Sequence, residues 1–431
     1  MVNPKKVVRK MLSGKLLRSI ESEYRLARAS YANARFLWPA KGMRVIMITG
    51  TNGKTTTAHY LFSILRSAGY SVGMLSTAEF RINERVQIND TNMTAIEPVL
   101  LRRYLADFKA SQVDFVILEA TSQALDQHRL FGIPCEVAVM TNLTQDHLDY
   151  HKTMEKYAEA KAQLWKLQPK YSILNKDDAW FKFYKTEADQ VKSTIITYGT
   201  SKADVTVTDY KATKAGSSFT LGFVNGKSVV SSALAGEYNA LNSGAAAGAA
   251  IALGLKEEQA EKGIEALKSV SGRLEEVPIK KPFRVVVDYA HTPDGLEKVL
   301  VAGRGLVQKS GRLWLVFGAC GDRDRGKRPV MGAIAMKQAD NVVLTDEESY
   351  SENPAQIRSE IRAGMKPARS KKTEVVEIAD RKKAIHHALE NAKKGDLVLI
   401  TGLGHEQYRI IAGKRVRWND VEIVKKLLKV K

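Results

Sequence analysis

Short apolar runs alternate with segments of helical period along most of the 431 residues. The apolar runs end in polar or glycine-containing turns, as buried strands do, and the segments between them repeat apolar residues every three or four positions, as helices do. In the first half of the chain this pattern predicts strands at 44–49, 114–120, 137–143 and 171–175, and helices at 55–68, 97–110, 154–167 and 239–253. Such alternation predicts a mostly parallel sheet with helices on both faces.

The pattern changes between Ser193 and Gly236, where short β-type runs follow one another. Asn225-Gly226 within this stretch is typical of a hairpin turn, which predicts an antiparallel flap or side sheet within the first large domain. A second alternating series begins at Arg284. It predicts strands at 284–289, 312–318, 341–345, 373–378 and 396–401, with helices at 353–365 and 381–392.

One strand-to-helix junction carries a candidate phosphate-binding loop, "ITGTNGKTTT", which begins at Ile48. Its glycines allow backbone N–H groups to turn toward phosphate oxygens, and the N-terminus of the following helix adds partial positive charge. Lys54 is placed to reach the terminal phosphates, and the Thr55 hydroxyl to bind Mg²⁺. The general P-loop has glycine five positions before Gly53, where this chain has Ile48, so the loop follows a shorter form, G-x-x-G-K-T.

These patterns place the chain in the α/β class. We expect a P-loop central domain with a mostly parallel sheet at residues 41–280, and a Rossmann-like α/β domain at residues 281–431. The boundary falls near Pro278–Pro282. Residues 1–40 are expected to form one or two basic amphipathic helices that end near Trp38.

Two further strand ends carry candidate magnesium or phosphate ligands, Glu119 in "LEATSQ" and His147 in "DHLDYH". Because ligands of parallel sheets bind at the carboxyl edge, both side chains are expected near Lys54. Glu119 alternatively caps a helix, and His147 alternatively has a structural role. Lys161 lies on a predicted amphipathic helix, and taken alone it is expected at the surface.

Charge and cysteine content add two constraints. The net charge is +20, and residues 1–41 contribute +8 of it, from ten Lys or Arg and two acidic residues. This balance favours anionic partners, but no nucleic-acid motif or interleaved aromatic platform is present, so no nucleic-acid partner is expected. Cys135 and Cys320 lie in apolar runs, which predicts buried free thiols in a cytoplasmic protein. No secretory signal core or transmembrane segment is predicted. A weak contact of residues 1–40 with a membrane surface is an open alternative. We expect the protein to be a monomer.

Ten motifs occur in the order seen in Mur ligases, and the chain resembles this family over about residues 40–431. They are "TGTNGKTTT", "LEATSQALDQHR", "TNLTQDHLDYH", "KYAEAK", "LNKDD", "GEYNALN", "SGRLE", "VDYAHTPDGL", "GACGDRDRGKRP" and "GLGHEQY". The likeness is greatest to the UDP-N-acetylmuramoyl-tripeptide synthetases. It implies an ATP-dependent ligase of peptidoglycan precursor synthesis that joins an amino acid to a muramoyl peptide nucleotide through an acyl phosphate.

The resemblance also assigns residues to the phosphate-transfer side of the site. It implies ATP, two Mg²⁺ ions and a CO₂-derived carbamate on Lys161 that helps to hold the second magnesium. Lys54, Glu119, His147, Lys161 and Arg273 match the catalytic set, and the expected metal ligands are Thr55, Glu119, His147 and carbamylated Lys161. The expected ATP contacts are Gly50, Thr51, Asn52, Gly53, Lys54, Thr55, Thr56, Asn239, Asn242, Arg273 and Asp288.

Other matches concern the two remaining substrates. The acceptor contacts implied are Asn92, Thr94, Thr121, Gln127 and Arg129. The residues implied around the incoming amino acid are Arg323, Arg328, Asp346, Glu347 and Glu406.

The sequence departs from the family pattern in three places. Residues 1–40 stand where the family has a complete domain that holds the uridine nucleotide. Diaminopimelate-adding members carry Asp-Asn-Pro-Arg where this chain has "TDEESYSENP", and Gln123 and Leu403 replace the usual His and Lys. Since Glu347 and Glu348 fall in that stretch, we hypothesise an amino acid with a cationic side chain, such as lysine or ornithine. The alternatives are that both acids are solvated or pair with lysines.

Two other functions stay open at this point. One is a folylpolyglutamate-synthase-like ligase, or another amino-acid ligase, that acts on a different carboxylate acceptor. The other is a non-enzymatic nucleotide-binding protein that uses its basic N-terminal helices at a membrane or nucleic acid. The joint presence of Lys54, Glu119, His147, Lys161 and Arg273 argues against the second, because simple binding needs no phosphoryl-transfer set. We also expect the second domain to close over ATP, since Arg273 and Asp288 flank the domain boundary.

Overall fold

The computed structural model describes residues 14–91, 93–366 and 373–430, and they form an N-terminal helix and two α/β domains. Helix α1 (Gly14–Arg35) lies within the segment predicted to be helical, and residues 1–13 lie outside the described part. Among the described helices, none has the length and apolar character that crossing a membrane requires.

The central domain is built on an eleven-stranded sheet with the order β11-β10-β9-β8-β7-β6-β1-β5-β2-β3-β4. Its strands are β1 (Arg44–Thr49), β2 (Val72–Leu75), β3 (Glu79–Ile82), β4 (Arg85–Ile88), β5 (Phe115–Glu119), β6 (Val137–Met140), β7 (Tyr171–Asn175), β8 (Thr194–Gly199), β9 (Val205–Thr213), β10 (Gly216–Phe223) and β11 (Gly226–Ser232). The middle strands are parallel and almost wholly buried, as the apolar runs predict. Antiparallel hairpins close both ends.

The antiparallel stretch predicted after Ser193 is present, with its turn at Val224-Asn225, but it is not a separate flap or side sheet. Strand β9 pairs with β8 through Tyr198 and Val205, so β9, β10 and β11 extend the main sheet. The alternation of apolar and polar residues could not predict that β9 pairs with β8, because this pairing depends on which edge of the main sheet is free.

Helices cover both faces of the central sheet. They are α2 (Lys54–Ser67), α3 (Pro98–Ala110), α4 (Ser122–Asp126), α5 (Leu148–His151), α6 (Met154–Ala162), α7 (Phe181–Gln190), α8 (Glu237–Ala252) and α9 (Glu257–Ala266), with a 3₁₀ turn at Trp165–Leu167. One core lies under α2, α8 and α9, where the Ala/Gly-rich α8 packs closely against α2. The second core lies under α3, α6 and α7 on the opposite face.

The C-terminal domain has a six-stranded sheet with the order β12-β13-β17-β14-β15-β16. Its elements are β12 (Glu275–Glu276), β13 (Arg284–Asp288), α10 (Pro293–Leu306), β14 (Leu313–Phe317), α11 (Lys327–Gln338), β15 (Asn341–Leu344), α12 (Pro354–Ala363), β16 (Glu374–Glu377), α13 (Arg381–Asn391), β17 (Leu397–Thr401), a hairpin of β18 (Tyr408–Ile411) and β19 (Lys414–Arg417), and α14 (Asp420–Leu427). Because β12 pairs with β13, the second sheet begins before residue 281.

Strand register brings the candidate residues to one edge of the central sheet. Ile48 of β1 pairs with Glu119 of β5, and Thr49 pairs with Met140 of β6. The loops that follow these three parallel strands therefore start side by side, as expected from the sequence.

Candidate active site

The candidate phosphate loop joins β1 to α2 and depends on two glycines with positive φ. Gly53 caps α2 with φ +86°, and a Cβ there would lie 2.3 Å from Oδ1 of Asn242. At Gly50, with φ +145°, a Cβ would lie 1.8 Å from Oγ1 of Thr141. Only glycine fits either position, so the loop backbone lies directly against its neighbours at the start of the helix.

Two lysines converge on the carbonyl oxygen of Gly50. Nζ of Lys54 lies 2.9 Å from it, and Nζ of Lys161 on α6 lies 2.8 Å from it. The surface position expected for Lys161 is wrong: the residue is 1% exposed, and its ammonium group also lies over the ring of Tyr157. Burial lowers the pKa of both lysines, and the neighbouring Lys54 lowers that of Lys161 further, to well below its ordinary value.

Glu119 follows its strand into the same site and is 2% exposed. Its carboxylate accepts hydrogen bonds from the backbone N–H of Thr77 at 2.7 Å and from the Thr77 hydroxyl at 2.9 Å. The Thr77 hydroxyl also lies 3.0 Å from that of Thr94. The loop after β2 therefore orients Glu119, although nothing in the sequence pattern had singled out Thr77.

His147 begins the short helix α5 in a left-handed conformation, with φ 54°. Its Nε2 lies 3.4 Å from Oδ2 of Asp146, and its Nδ1 is buried without a hydrogen-bond partner among the described residues. Burial lowers the pKa of His147 more than Asp146 raises it, which favours the neutral ring with a free lone pair.

These side chains fit a magnesium ion that is shared with phosphate. Among the described residues no group of three or more His, Cys, Asp or Glu forms a metal site. However, Mg²⁺ typically takes one or two protein oxygens and completes its shell with phosphate and water. The Thr55 hydroxyl in the first turn of α2 and the Glu119 carboxylate supply two oxygens of that kind. The unpartnered Nδ1 of His147 adds a nitrogen with a free lone pair beside them.

Arg273 reaches the site from the junction between the domains. Its Nη2 donates to Oγ1 of Thr55 at 3.1 Å, and its guanidinium lies over the ring of Tyr289. Asp288 accepts from the backbone N–H of Leu274 at 2.7 Å, which fixes the turn that carries Arg273. Burial raises the pKa of Asp288. A ribose contact by Asp288 stays a prediction.

The remaining residues predicted to contact ATP lie around the same phosphate loop. Asn52 donates to Asp294 of the C-terminal domain at 2.7 Å, while Asn239 and Asn242 are buried on α8 beneath the loop. Nδ2 of Asn239 donates to Ala235 O. Thr51 and Thr56 are also buried.

An ion pair between the domains was missed by the sequence analysis. Nζ of Lys327 at the start of α11 lies 3.3 Å from Oδ1 of Asp146, and both side chains are buried. Burial alone would raise the pKa of Asp146, but Lys327, His147 and His291 together hold it well below its ordinary value. Both partners lie inside motifs noted above, yet residues 181 positions apart give no sequence signal of their contact.

A cavity of about 280 Å³ opens between the two domains beside this ion pair. On its central-domain side lie Thr94, Thr121, Gln123, Arg129 and His147. Arg129 is held by Oε1 of Gln127 at 2.6 Å and by Ala95 O at 2.6 Å. Thr121 caps α4 through the N–H of Ala124. Four of the five predicted acceptor contacts are thus brought together, while Asn92 lies outside the described residues.

The C-terminal side of the cavity is lined by Arg323, Glu348, Tyr350 and Glu406. The Arg323 guanidinium lies over the Tyr350 ring, and the Tyr350 hydroxyl donates to Glu348 at 3.2 Å. Burial raises the pKa of Glu348, and burial together with Glu348 raises the pKa of Glu406 to about 8. This side of the cavity therefore combines two cations, Arg323 and the paired Lys327, with two carboxyl groups, Glu348 and Glu406.

Three of the predicted amino-acid contacts do not line this cavity. Arg328 is wholly buried and paired with Glu352 and Glu360, and Asp346 is paired with Arg358. Glu347 lies behind the cavity wall, where its Oε1 accepts from the thiol of Cys320 at 2.8 Å. Of the two acids weighed for cationic selectivity, only Glu348 lines the cavity.

Both cysteines are free thiols, as predicted. Cys135 is buried, whereas Cys320 is only partly buried and lines the cavity.

Two protein families match the chain, one over the central domain and the other over the C-terminal domain. Residues 48–250 match the Mur ligase middle domain, and residues 272–404 match the Mur ligase, glutamate ligase domain. The chain is 39% identical over 411 residues to the UDP-N-acetylmuramoyl-L-alanyl-D-glutamate–2,6-diaminopimelate ligase of Bacillus licheniformis. The matched region covers 93% of this chain and 82% of that protein. The fold and site thus define an ATP-dependent ligase. The chain belongs to the Mur ligase family.

Solved structures support the same assignment. A structure of a UDP-N-acetylmuramoyl-L-alanyl-D-glutamate–2,6-diaminopimelate ligase is 34% identical and has a TM-score of 0.64, covering 95% of this chain and 82% of that one. A Mycobacterium tuberculosis folylpolyglutamate synthase complexed with ADP is 19% identical, with a TM-score of 0.71 over 88% of this chain and 91% of that one. At that identity, the second likeness concerns the fold alone.

Proposed function

We propose that the protein uses ATP to join an amino acid to the carboxylate of a UDP-muramoyl-dipeptide-like acceptor in peptidoglycan precursor synthesis. The observation that carries this proposal is the cavity between the domains. It runs from His147 beside the phosphate loop, past Thr121 and Arg129, to Arg323 and Glu406. One cavity is therefore lined by groups suited to a phosphate, an anionic acceptor and an amino acid.

The chemistry explains why so many cations lie here. The acceptor carboxylate attacks the γ-phosphorus of ATP and ADP leaves, which forms an acyl phosphate. The amine of the amino acid then attacks the acyl carbon, and phosphate leaves from the tetrahedral intermediate. Two anions must approach each other in the first step, and Lys54 and Arg273 are placed to stabilise the charge that develops.

Magnesium fits this site through Thr55, Glu119 and His147, and when bound it neutralises charge on the phosphate oxygens. We propose a carbamate on Lys161 for a physical reason. Only a neutral amine attacks CO₂, and the burial of Lys161 beside Lys54 lowers its pKa toward that form. A carbamate would also replace an unfavourable pair of cations at the Gly50 carbonyl with a cation beside an anion.

We propose a cationic side chain for the incoming amino acid. Arg323 is suited to a carboxylate of the amino acid, and Glu348 and Glu406 are suited to a second ammonium group. The two diaminopimelate ligases named above act on diaminopimelate, whose distal end bears a carboxylate as well as an amine. Here Tyr350, in the stretch that replaces Asp-Asn-Pro-Arg, faces the cavity and supplies no cation for that carboxylate.

ATP-dependent ligation with a panel of acceptors and amino acids tests the proposal. UDP-muramoyl dipeptide and a folate would be offered with lysine, ornithine, diaminopimelate and alanine, and the product mass measured. We expect a product only with the muramoyl acceptor, and a kcat/KM at least tenfold higher for lysine or ornithine. Preference for diaminopimelate or alanine would contradict the amino-acid assignment, and ligation to folate alone would contradict the acceptor.

A further inference from the structure

Helix α1 is anchored to the central domain by one face only. His128 contacts the Ser22 hydroxyl at 2.9 Å, and Nδ2 of Asn33 donates to Phe131 O at 3.0 Å. The buried Arg102 of α3 donates to Oδ1 of Asn33 at 2.8 Å. These buried contacts fix the orientation of the helix, so its opposite face has a defined direction toward solvent.

That opposite face carries large apolar side chains, which we call the outer stripe. It consists of Ile20, Tyr24, Tyr31, Leu37 and Trp38, which are 49%, 62%, 59%, 84% and 46% exposed. The first three follow helical spacing along α1. Leu37 and Trp38 lie in the turn after the helix, where the Trp38 ring packs beside Gly132 of the central domain and part of both side chains stays exposed. Scattered exposed apolar residues are normal, but an aligned row of about 16 Å along one helix face, with further exposed apolar side chains in the next turn, marks an interaction surface.

Beyond the end of the helix, the stripe continues into a shallow open groove. The groove is lined by Leu37, Trp38, Lys41, Ile133 and Leu167, with Gly42, Gly132 and Pro134 between them. The apolar surface is therefore wider at this end than one helix face.

The charges around the stripe are mostly positive. Arg35 and Lys41 flank Leu37 and Trp38, and Arg28 lies beside Tyr24, where it also pairs with Glu97. The acidic residues of the helix are Glu21, which pairs with Arg25, and Glu23. Residues 1–13 add four basic residues and no acidic residue to this end of the chain.

We propose that the outer stripe binds the surface of an anionic lipid bilayer, with α1 lying flat in the headgroup region. Tyrosine and tryptophan favour the membrane interface, and exposed aliphatic residues such as Leu37 favour the acyl boundary beneath it. Arginine and lysine around such a face add electrostatic attraction to anionic headgroups. This inference stands apart from the proposed ligase substrates.

Other occupants fit these features less well. A second copy of the chain would bring two segments of +8 together, and the like charges would repel. A nucleic acid would be attracted by the charge, and Tyr24, Tyr31 and Trp38 offer rings to its bases. The aliphatic Ile20 and Leu37 do not stack on a base, so they would stay exposed to water. A lipid surface accommodates both the charge and the aliphatic side chains.

Vesicle flotation of the full chain tests the proposal. The vesicles would contain equal parts of phosphatidylglycerol and phosphatidylcholine, or phosphatidylcholine alone, at about 0.1 M salt. We expect binding to the anionic vesicles and at least tenfold weaker binding to the neutral ones. The triple variant Tyr24→Ser, Tyr31→Ser, Leu37→Ser should bind anionic vesicles at least tenfold more weakly, since its three changes remove only exposed side chains and keep the charge.

The matched control is Val224→Ser with Val229→Ser, because these valines are 82% and 73% exposed on the distant β10–β11 hairpin. This variant should bind vesicles like the wild type, and both variants should give the wild-type circular dichroism spectrum. Absence of wild-type binding to anionic vesicles, or equal binding by the triple variant, would overturn the proposal. So would a dimer in sedimentation velocity that the triple variant abolishes, or binding to single-stranded DNA with none to vesicles.

Discussion

Lys54 and Lys161 place their ammonium nitrogens 2.9 and 2.8 Å from the same carbonyl oxygen, that of Gly50. Two buried cations at one acceptor repel each other, and the shared contact therefore favours the loss of one proton. Lys161 is the group whose pKa falls well below its ordinary value. On this ground we propose that Lys161 is the lysine that reacts as an amine and that Lys54 is the one that meets the phosphate.

The first prediction concerns this reactive amine. We expect Lys161 to add the mass of one CO₂ in bicarbonate buffer when the intact protein is weighed under non-acidic conditions. Lys161→Ala should lose that mass, and its kcat should fall at least about 100-fold, because a charged group at the phosphate site is removed. Lys156→Ala, an exposed lysine on the same helix, should keep both the added mass and the activity. An unmodified wild-type chain with full activity would contradict the carbamate.

The second prediction concerns the contact between Arg273 and Thr55 across the domain junction. Arg273→Ala should lower kcat by about 10²–10³-fold, because it removes a charge that is aimed at the phosphate loop. Arg273→Lys should recover only part of this loss, since lysine lacks the planar guanidinium group with its paired N–H donors. Steady-state kinetics with varied ATP measure the effect, with the exposed Lys268→Ala as control. Unchanged kcat in Arg273→Ala would remove Arg273 from the catalytic set.

The third prediction concerns the buried ion pair between Asp146 and Lys327. Asp146→Asn leaves the Lys327 ammonium buried without its partner, which costs about 3–5 kcal/mol. We therefore expect a clearly lower Tm, partly restored in the double variant Asp146→Asn, Lys327→Met. Asp324→Asn, which alters an exposed contact with Gln145 between the same domains, should change stability by less than about 0.5 kcal/mol. Equal Tm values for Asp146→Asn and Asp324→Asn would contradict a strong ion pair between Asp146 and Lys327.

The fourth prediction concerns Glu406, whose pKa is raised to about 8 by burial and by Glu348. A carboxyl group in the unfolded chain has a pKa of about 4.3. The folded state therefore holds the proton more tightly, so stability is lost as the pH rises from about 4.3 through 8. Glu406→Gln removes this loss and should melt higher than the wild type at about pH 9, with the difference shrinking toward about pH 5.

Thermal unfolding across this pH range measures the difference. Glu374→Gln, a change at an exposed carboxylate, should follow the wild type throughout. A Glu406→Gln advantage that does not depend on pH would show that Glu406 is ionised in the folded protein at neutral pH.

Periodicity was enough to predict most of the strands near the site, because buried parallel strands are continuous apolar runs. It also placed Lys54, Glu119 and His147 at one sheet edge, since parallel strands end together. It could not show that Lys161 is buried, because a lysine on an amphipathic helix has the same spacing whichever face is covered. The contact of Asp146 with Lys327 depends on how two domains meet, and a single sequence holds no record of that.

The proposed function depends on transfer of the γ-phosphate of ATP to the acceptor carboxylate. Labelling that carboxylate with ¹⁸O and measuring the inorganic phosphate released during ligation tests this transfer. We expect one labelled oxygen in the phosphate for each amide bond formed, because the acyl phosphate breaks between its acyl carbon and the bridging oxygen. Phosphate released without the label, while the amide product still forms, would contradict the transfer.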